Sequence, residues 1–187
     1  ILLDGISVVK DPIVCKRSMA YVPDTPRLEE YMTGMQYLNF VCDIYQVPSK
    51  ERQQNIERLI HAFQMEPHIS GLISSYSHGM KQKVALIAAF SHNPKFLVLD
   101  EPFVGLDPEA FIALKDQMKM LCRKRSSVLF SSHILDVVEK LCNKISIIKD
   151  GRLLYSGTTE ELIGVEGLEE AFMELNSNER FDPSIEK

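Results

Sequence analysis

Residues 96–108 read FLVLDEPFVGLDP, an apolar segment followed at once by two carboxylates. A short apolar run without alternation is typical of a β-strand that is covered on both faces, as in a parallel sheet. Asp100 and Glu101 come directly after this predicted strand. Because ligands of open α/β sheets bind beyond the carboxyl ends of the strands, we expect chemistry at these two residues. Taken alone, Asp100 could equally cap a helix or form a salt bridge.

The segments that follow alternate between helix and strand. The pattern predicts a helix over 108–123 with proline in its first turn, a strand over 128–130, a helix over 135–141 and a strand over 145–148. This order indicates parallel strands joined by helical crossovers. A hairpin turn is predicted at 149–152, and an amphipathic helix over 159–176.

The residues before 96 show different sequence patterns. Residues 1–24 predict short strands and turns, with one turn at Asp4-Gly5. Residues 26–93 predict mostly helix, because apolar residues recur at three- and four-residue spacing. Ser49 is the expected N-cap of one of these helices, and a further helix is expected from Gly79 to Phe90.

Two motifs and their order carry a family resemblance. Asp100-Glu101-Pro102, the segment 105–108 (GLDP) and His133 resemble the Walker B motif, D-loop and switch histidine of ATP-binding-cassette (ABC) ATPases. Upstream, residues 76–83 (YSHGMKQK) resemble the ABC signature, with His78 where the family usually has glycine. The chain is therefore identified as a member of the family of ABC transporter ATP-binding proteins.

The resemblance implies an α/β fold of the P-loop NTPase type. A mainly parallel sheet would form the ATPase core from residues 1–25 and 91–158. Residues 26–90 would form an inserted helical signature subdomain, and residues 159–187 a C-terminal helix with an acidic tail.

The resemblance also implies ATP and Mg²⁺ as cofactors and assigns site residues. Asp100 would hold Mg²⁺, Glu101 would act as the general base toward the attacking water, and His133 would donate a hydrogen bond to the γ-phosphate. A purely structural strand-end histidine is the alternative for His133. Nucleotide contacts are implied for a further set of residues: Ser77, His78, Gly79, Asp107 and Asp24.

Asp24 and the lysines of the signature segment carry further expectations. Residues 21–24 (YVPD) resemble the Q-loop, where the family more often has glutamine at the Asp24 position, so direct Mg²⁺ ligation by Asp24 stays open beside a helix-capping role after Pro26. Lys81 and Lys83 are expected on a solvated helix face. Residues 31–45 and 72–76 are the expected contacts to membrane subunits.

No GxxxxGK[ST] phosphate loop occurs in this sequence. In the family this loop precedes the segment that resembles residues 1–5. We therefore expect an N-terminally truncated fragment that binds ATP weakly or not at all when alone.

The implied function is ATP hydrolysis that drives transport through a separate transmembrane permease. A second nucleotide-binding subunit would complete a head-to-tail dimer, because the signature caps ATP held by the opposite subunit. Residues 167–172 (GLEEAF) resemble the C-terminal helix of bacterial exporters and favour export. A ribosome-associated ABC protein and a catalytically inactive regulatory cassette are the alternatives.

Composition limits the remaining classes. The formal net charge is −5, and residues 160–187 hold nine acidic and two basic groups, which does not favour nucleic acid as a partner. The four cysteines form no CxxC pair, so reduced thiols are expected rather than disulfides or zinc. No apolar run approaches the roughly 20 residues of a membrane helix. The expected location is cytoplasmic, peripheral at the inner face of the membrane.

Overall fold

The computed structural model describes residues 1–163 and 167–177. These residues form two compact units, Ile1–Ser131 and the chain from Ser132 onward. In the described ranges, no helix is both long and apolar enough to cross a membrane.

A parallel sheet of three strands lies at the centre of the first unit. Its order is β3 (Met19–Val22), β4 (Phe96–Leu99) and β5 (Ser127–Phe130). The register pairs Val22 with Leu99 and Leu99 with Phe130, so the three strands end at one edge of the sheet. In the middle strand, Leu97 and Leu99 are buried. The predicted parallel pairing of residues 96–99 with 128–130 and the predicted fold class are confirmed.

Helices cover this sheet. The central one is α4 (His78–Ser91), which packs against β3, α2 (Gly34–Ile44) and α3 (Ser49–Ala62). Residues 84–91 are all buried, as expected for a helix that is apolar on every side. The helix α5 (Pro108–Arg123) packs against β5 and has the predicted bounds.

The N-terminal segment is partly as predicted. Strands β1 (Leu2–Leu3) and β2 (Ile6–Ser7) form an antiparallel hairpin whose turn residues, Asp4 and Gly5, both have positive φ. The sequence did not predict α1 (Pro12–Arg17). Cys15 is its one buried residue, so no apolar periodicity marks this helix.

Two helices in the next segment begin differently from the prediction. α2 begins at Gly34, because Thr33 and Gln36 form a capping box there, and residues 26–33 form a loop rather than a helix. Pro48 is the N-cap of α3, so the expectation of a Ser49 cap is wrong by one residue. A single 3₁₀ turn, Ile73–Ser75, precedes α4.

The second unit is built on a hairpin of β6 (Lys144–Lys149) and β7 (Arg152–Thr158). Its predicted turn is confirmed, since Asp150 and Gly151 have φ of 49° and 75°. The expectation that 145–148 would add a third parallel strand is wrong. This two-residue turn returns the chain at once, so β6 pairs with β7 in an antiparallel sheet.

Among its described residues, the second unit also has three helices: α6 (Leu135–Leu141), α7 (Thr159–Ile163) and α8 (Leu168–Ser177). The single helix predicted over 159–176 is thus described as two, and residues 164–166 lie outside the described residues. The end of the predicted acidic tail, residues 178–187, also lies outside them.

An aromatic stack joins the ends of α2 and α4 to the sheet. The rings of Tyr45 and His92 are parallel within 8° and their centroids lie 3.6 Å apart. The Tyr45 hydroxyl donates a hydrogen bond to the carbonyl of Met19, the first residue of β3. The Nδ1 atom of His92 is buried and has no hydrogen-bond partner in the described part of the chain. Burial lowers the pKa of His92 to about 4.

This depressed pKa predicts an acid-sensitive fold. Once unfolded, His92 titrates near its ordinary pKa of about 6.5, so the unfolded state binds more protons as the pH falls from there toward 4. Between about pH 7.5 and about pH 5, we expect His92 to remove about 2 kcal/mol from the free energy of unfolding. The variant His92→Phe keeps an aromatic ring stacked on Tyr45. Between the two pH values, its free energy of unfolding, measured in urea, should fall by about 2 kcal/mol less than that of the wild type.

His68→Gln, which removes an exposed histidine, is the matched control. An unchanged pH dependence in His92→Phe would contradict the buried neutral imidazole.

Candidate functional site

The paired carboxylates sit where the middle strand ends. The Asp100 amide donates to the Val22 carbonyl at 2.9 Å, and the Ser131 amide donates to the Leu99 carbonyl at 3.0 Å. The sheet ladder therefore continues one step beyond the strands and fixes the backbone that follows β4 and β5.

Ser131 connects the two carboxylate residues. Its hydroxyl donates to Asp100 Oδ1 at 2.6 Å and accepts from the Glu101 amide at 2.9 Å. Glu101 has φ of 43°, an unusual conformation for a residue with a side chain, and strain of this kind clusters at functional sites. The sequence did not predict this role for Ser131, because only the register of β4 against β5 brings its hydroxyl beside Asp100.

Asp24 and Asp100 line the same cavity, which has a volume of about 580 Å³. Asp24 lies in the loop after β3, and no helix begins near Pro26, so the helix-capping alternative for Asp24 is wrong. Carboxylate oxygens that share a cavity suit Mg²⁺, which takes one or two carboxylates and keeps several waters. Within the described residues, no group of three or more His, Cys, Asp or Glu side chains could hold a metal ion.

The start of α4 forms the second part of the candidate site. The Ser77 hydroxyl caps this helix by accepting from the Met80 amide at 3.2 Å. The next residue, His78, is exposed, and its imidazole lies beside Gly105. A Cβ atom added to Gly79 would lie 2.7 Å from the Gly105 carbonyl oxygen, which is too close for a real contact. Glycine at position 79 is therefore required by the D-loop backbone.

Asp107 joins this helix start to α5. One carboxylate oxygen accepts from the Ala110 amide at 2.9 Å and caps α5. The other forms an ion pair with the Lys83 ammonium, and the Lys83 side chain is only 11% exposed. The Lys83 ammonium is the main cause that lowers the pKa of Asp107, ahead of the Ala110 amide.

The expectation of a solvated Lys83 is therefore wrong, because its ammonium pairs with the Asp107 carboxylate and its side chain is largely buried. Lys81 forms an ion pair with Glu30 at 2.6 Å and is 25% exposed.

His133 and the segment around 76 complete the set of predicted residues. His133 belongs to the second unit and is exposed, just before Ile134, whose amide donates to Ser132 Oγ at 3.1 Å. Its predicted γ-phosphate contact stays a prediction. Tyr76 is buried, and its hydroxyl lies 2.7 Å from the His68 carbonyl, so the 72–76 segment offers Leu72 rather than Tyr76 to a partner.

A parallel sheet whose carboxyl edge carries Asp100 and Glu101, covered by helices, defines an α/β domain of the P-loop NTPase class. The chain belongs to the ABC transporter family, since its residues 1–104 match that family.

Relatives with known names agree with this assignment. The chain is 33% identical over 172 residues to the ABC-type transporter ATP-binding protein EcsA of Bacillus subtilis, covering 92% of this chain and 70% of EcsA. It is 31% identical to the ABC transporter ATP-binding protein NatA of the same organism, covering 87% of this chain and 66% of NatA.

A solved structure, described as the ATP binding subunit of an ABC transporter, superposes with a TM-score of 0.88 at 32% identity. The superposition covers 93% of this chain and 75% of that chain. The family resemblance read from the sequence is thus confirmed. The chain spans about two thirds to three quarters of the length of these three proteins.

Ser131 gives the first test of this site. Replacing it by alanine removes the hydroxyl that Asp100 accepts from and that Glu101 donates to, so we expect Ser131→Ala to lower the free energy of unfolding by about 1 kcal/mol. Urea unfolding measures this change. Ser127→Ala, an exposed serine at the opposite end of β5, is the matched control. Equal stability of Ser131→Ala and Ser127→Ala would contradict a bridging role.

Proposed function

We propose that the protein containing this chain is the ATP-hydrolysing subunit of an ABC transporter and drives export through a separate membrane subunit. The observation that carries this proposal is the Asp100–Ser131–Glu101 arrangement at the end of β4, in a chain of this family. The direction of export rests on residues 167–172, whose sequence resembles the C-terminal helix of exporters.

Asp100 and Asp24 would hold Mg²⁺, directly or through water, because both line one cavity and offer the hard oxygen ligands that this ion prefers. A bound Mg²⁺ would neutralise charge on the phosphate oxygens of ATP. Glu101 would accept a proton from the attacking water, and its position would be fixed through its amide, which Ser131 holds. Positioning of this kind is most of the catalysis in phosphoryl transfer.

The start of α4 would serve a second ATP molecule. The first amides of this 14-residue helix and its dipole favour an anion at Ser77 and Gly79. We assign these residues, with His78 and Asp107, to ATP held by a second nucleotide-binding subunit in a head-to-tail dimer. His133 would donate a hydrogen bond to the γ-phosphate of the chain's own ATP.

The membrane subunit would dock on the exposed residues of α2, beside the part of the Asp24–Asp100 cavity that this helix lines. Tyr37, Val41 and Tyr45 line that cavity at successive helix turns. Beside them, Phe40 and Ile44 are 41% and 58% exposed, which leaves an apolar strip open on the helix. Exposed apolar surface of this kind marks interaction sites.

A peripheral, cytoplasmic position at the inner face of the membrane follows from this role. The acidic balance of the chain does not favour nucleic acid as a partner.

Glu101 is the residue whose removal tests hydrolysis. In the complete gene product, Glu101→Gln keeps the shape of the side chain but removes the proton acceptor, so the ATPase rate should fall by at least about 100-fold while ATP still binds. Phosphate release measures the rate, and equilibrium binding of ATP with Mg²⁺ measures retention of the nucleotide.

Glu109→Gln, which changes an exposed glutamate in the first turn of α5, should hydrolyse ATP at the wild-type rate. If Glu101→Gln also kept the wild-type rate, the proposed mechanism would be wrong.

Ile44 tests the docking surface. A charge at this exposed apolar position should prevent contact with the membrane subunit, so Ile44→Glu should release the protein from membranes that carry its transporter, with unchanged ATPase activity in detergent-free solution. Ile112→Glu, at a similarly exposed isoleucine on α5, should leave membrane association intact. Release by both variants, or by neither, would argue against docking on α2.

A further inference from the structure

Three contacts join the first two turns of α4 to the D-loop. The His78 imidazole lies beside Gly105, the Gly105 carbonyl oxygen occupies the space where Gly79 would carry a Cβ atom, and Lys83 forms an ion pair with Asp107. We call these five residues the α4–D-loop junction. Two of its contacts need glycine and are short-range packing, whereas the third is a charged pair between segments 24 positions apart.

The lysine is the more buried partner of this ion pair. The side chains of Lys83 and Asp107 are 11% and 44% exposed, whereas those of Lys140 and Asp136, which pair on α6, are 61% and 73% exposed. A charge that is largely removed from water must be compensated by its partner, while solvated pairs contribute little. The Lys83 ammonium therefore constrains the Asp107 carboxylate.

The Asp107 carboxylate is also the N-cap of α5. Because its two oxygens serve different elements, the same side chain sets the end of the D-loop and the start of α5 relative to α4. Phe103 anchors the other end of this segment, with its ring 4.8 Å from Phe111 and 5.8 Å from Phe130. Between the two anchors, Gly105 with φ of 75° has no side chain of its own to hold it.

We infer that Lys83 is a positioning residue for ATP hydrolysis. It holds Asp107, and through it Gly105, against the helix start that carries Ser77 and Gly79. This inference rests on the proposed function, in which Glu101 serves the chain's own ATP and the start of α4 serves the ATP of the second subunit. The α4–D-loop junction then links the two ATP sites within one chain.

Removal of the ammonium should affect turnover more than nucleotide affinity. Lys83→Met keeps most of the side-chain volume but leaves Asp107 without its cation. In the complete gene product we expect kcat to fall roughly 10-fold or more, with a much smaller change in KM. A small displacement of the D-loop would slow the reaction more than it would weaken nucleotide binding. Lys83→Arg, which restores the charge, should recover most of the loss.

Lys81→Met is the matched control. It removes a neighbouring lysine of the same helix, also in an ion pair, whose partner Glu30 lies outside the D-loop. This variant should keep the wild-type kcat. Should Lys83→Met fold poorly, Lys83→Gln offers a milder neutral substitution with the same expectation.

Hydrogen exchange provides a readout that needs no ATPase activity. In the complete gene product without nucleotide, the amides of residues 105–110 should exchange faster in Lys83→Met than in wild type, Lys83→Arg or Lys81→Met, because Asp107 loses one of its two anchors. Wild-type exchange together with wild-type kcat in Lys83→Met would overturn the inference, and so would equal losses in Lys81→Met.

The two proposals fail in different ways. A wild-type protein without ATPase activity would overturn the proposed function, and with it the positioning role of Lys83. Normal ATPase activity that Glu101→Gln abolishes and Lys83→Met leaves unchanged would overturn only the inference about Lys83.

Discussion

The parallel register of β4 between β3 and β5 is the constraint on which the site depends. Because Val22, Leu99 and Phe130 lie side by side, the residues that follow each strand emerge at one edge. Asp24, Asp100 and Ser131 meet there although they are far apart in sequence, and the ladder continues for one step through the amides of Asp100 and Ser131. The hydroxyl of Ser131 then fixes both carboxylate residues, including Glu101 in its strained backbone conformation.

The same strand end directs the chain into the D-loop. From Glu101 the backbone passes the buried Phe103, turns at Gly105 and starts α5 at Asp107, which also pairs with Lys83. The carboxylates and the start of α4 are therefore connected through residues 101–107 and through the contacts that Gly105 and Asp107 make with α4. This connection joins the strand-end carboxylates to the start of α4 within the first unit.

Local signals made a large part of this predictable. The apolar run of β4, the Asp107-Pro108 start of α5 and the Asp150-Gly151 turn each need only neighbours in sequence, and each was predicted correctly. Features that depend on pairing at a distance were not. Neither the Ser131 bridge nor the Lys83–Asp107 ion pair has a local sequence signal. The capping alternative for Asp24 failed because α2 starts only at Gly34. The strand β6 pairs with β7 rather than extending the parallel sheet.

A structure of the complete gene product carrying Glu101→Gln, prepared with ATP and Mg²⁺, tests the central claim most directly. The account predicts a head-to-tail dimer in which Asp100 faces the metal of the chain's own nucleotide, while Ser77 and Gly79 of the same chain contact the γ-phosphate of the second nucleotide. A nucleotide bound away from the carboxyl edge of the β3–β4–β5 sheet, or one enclosed by a single chain, would contradict it.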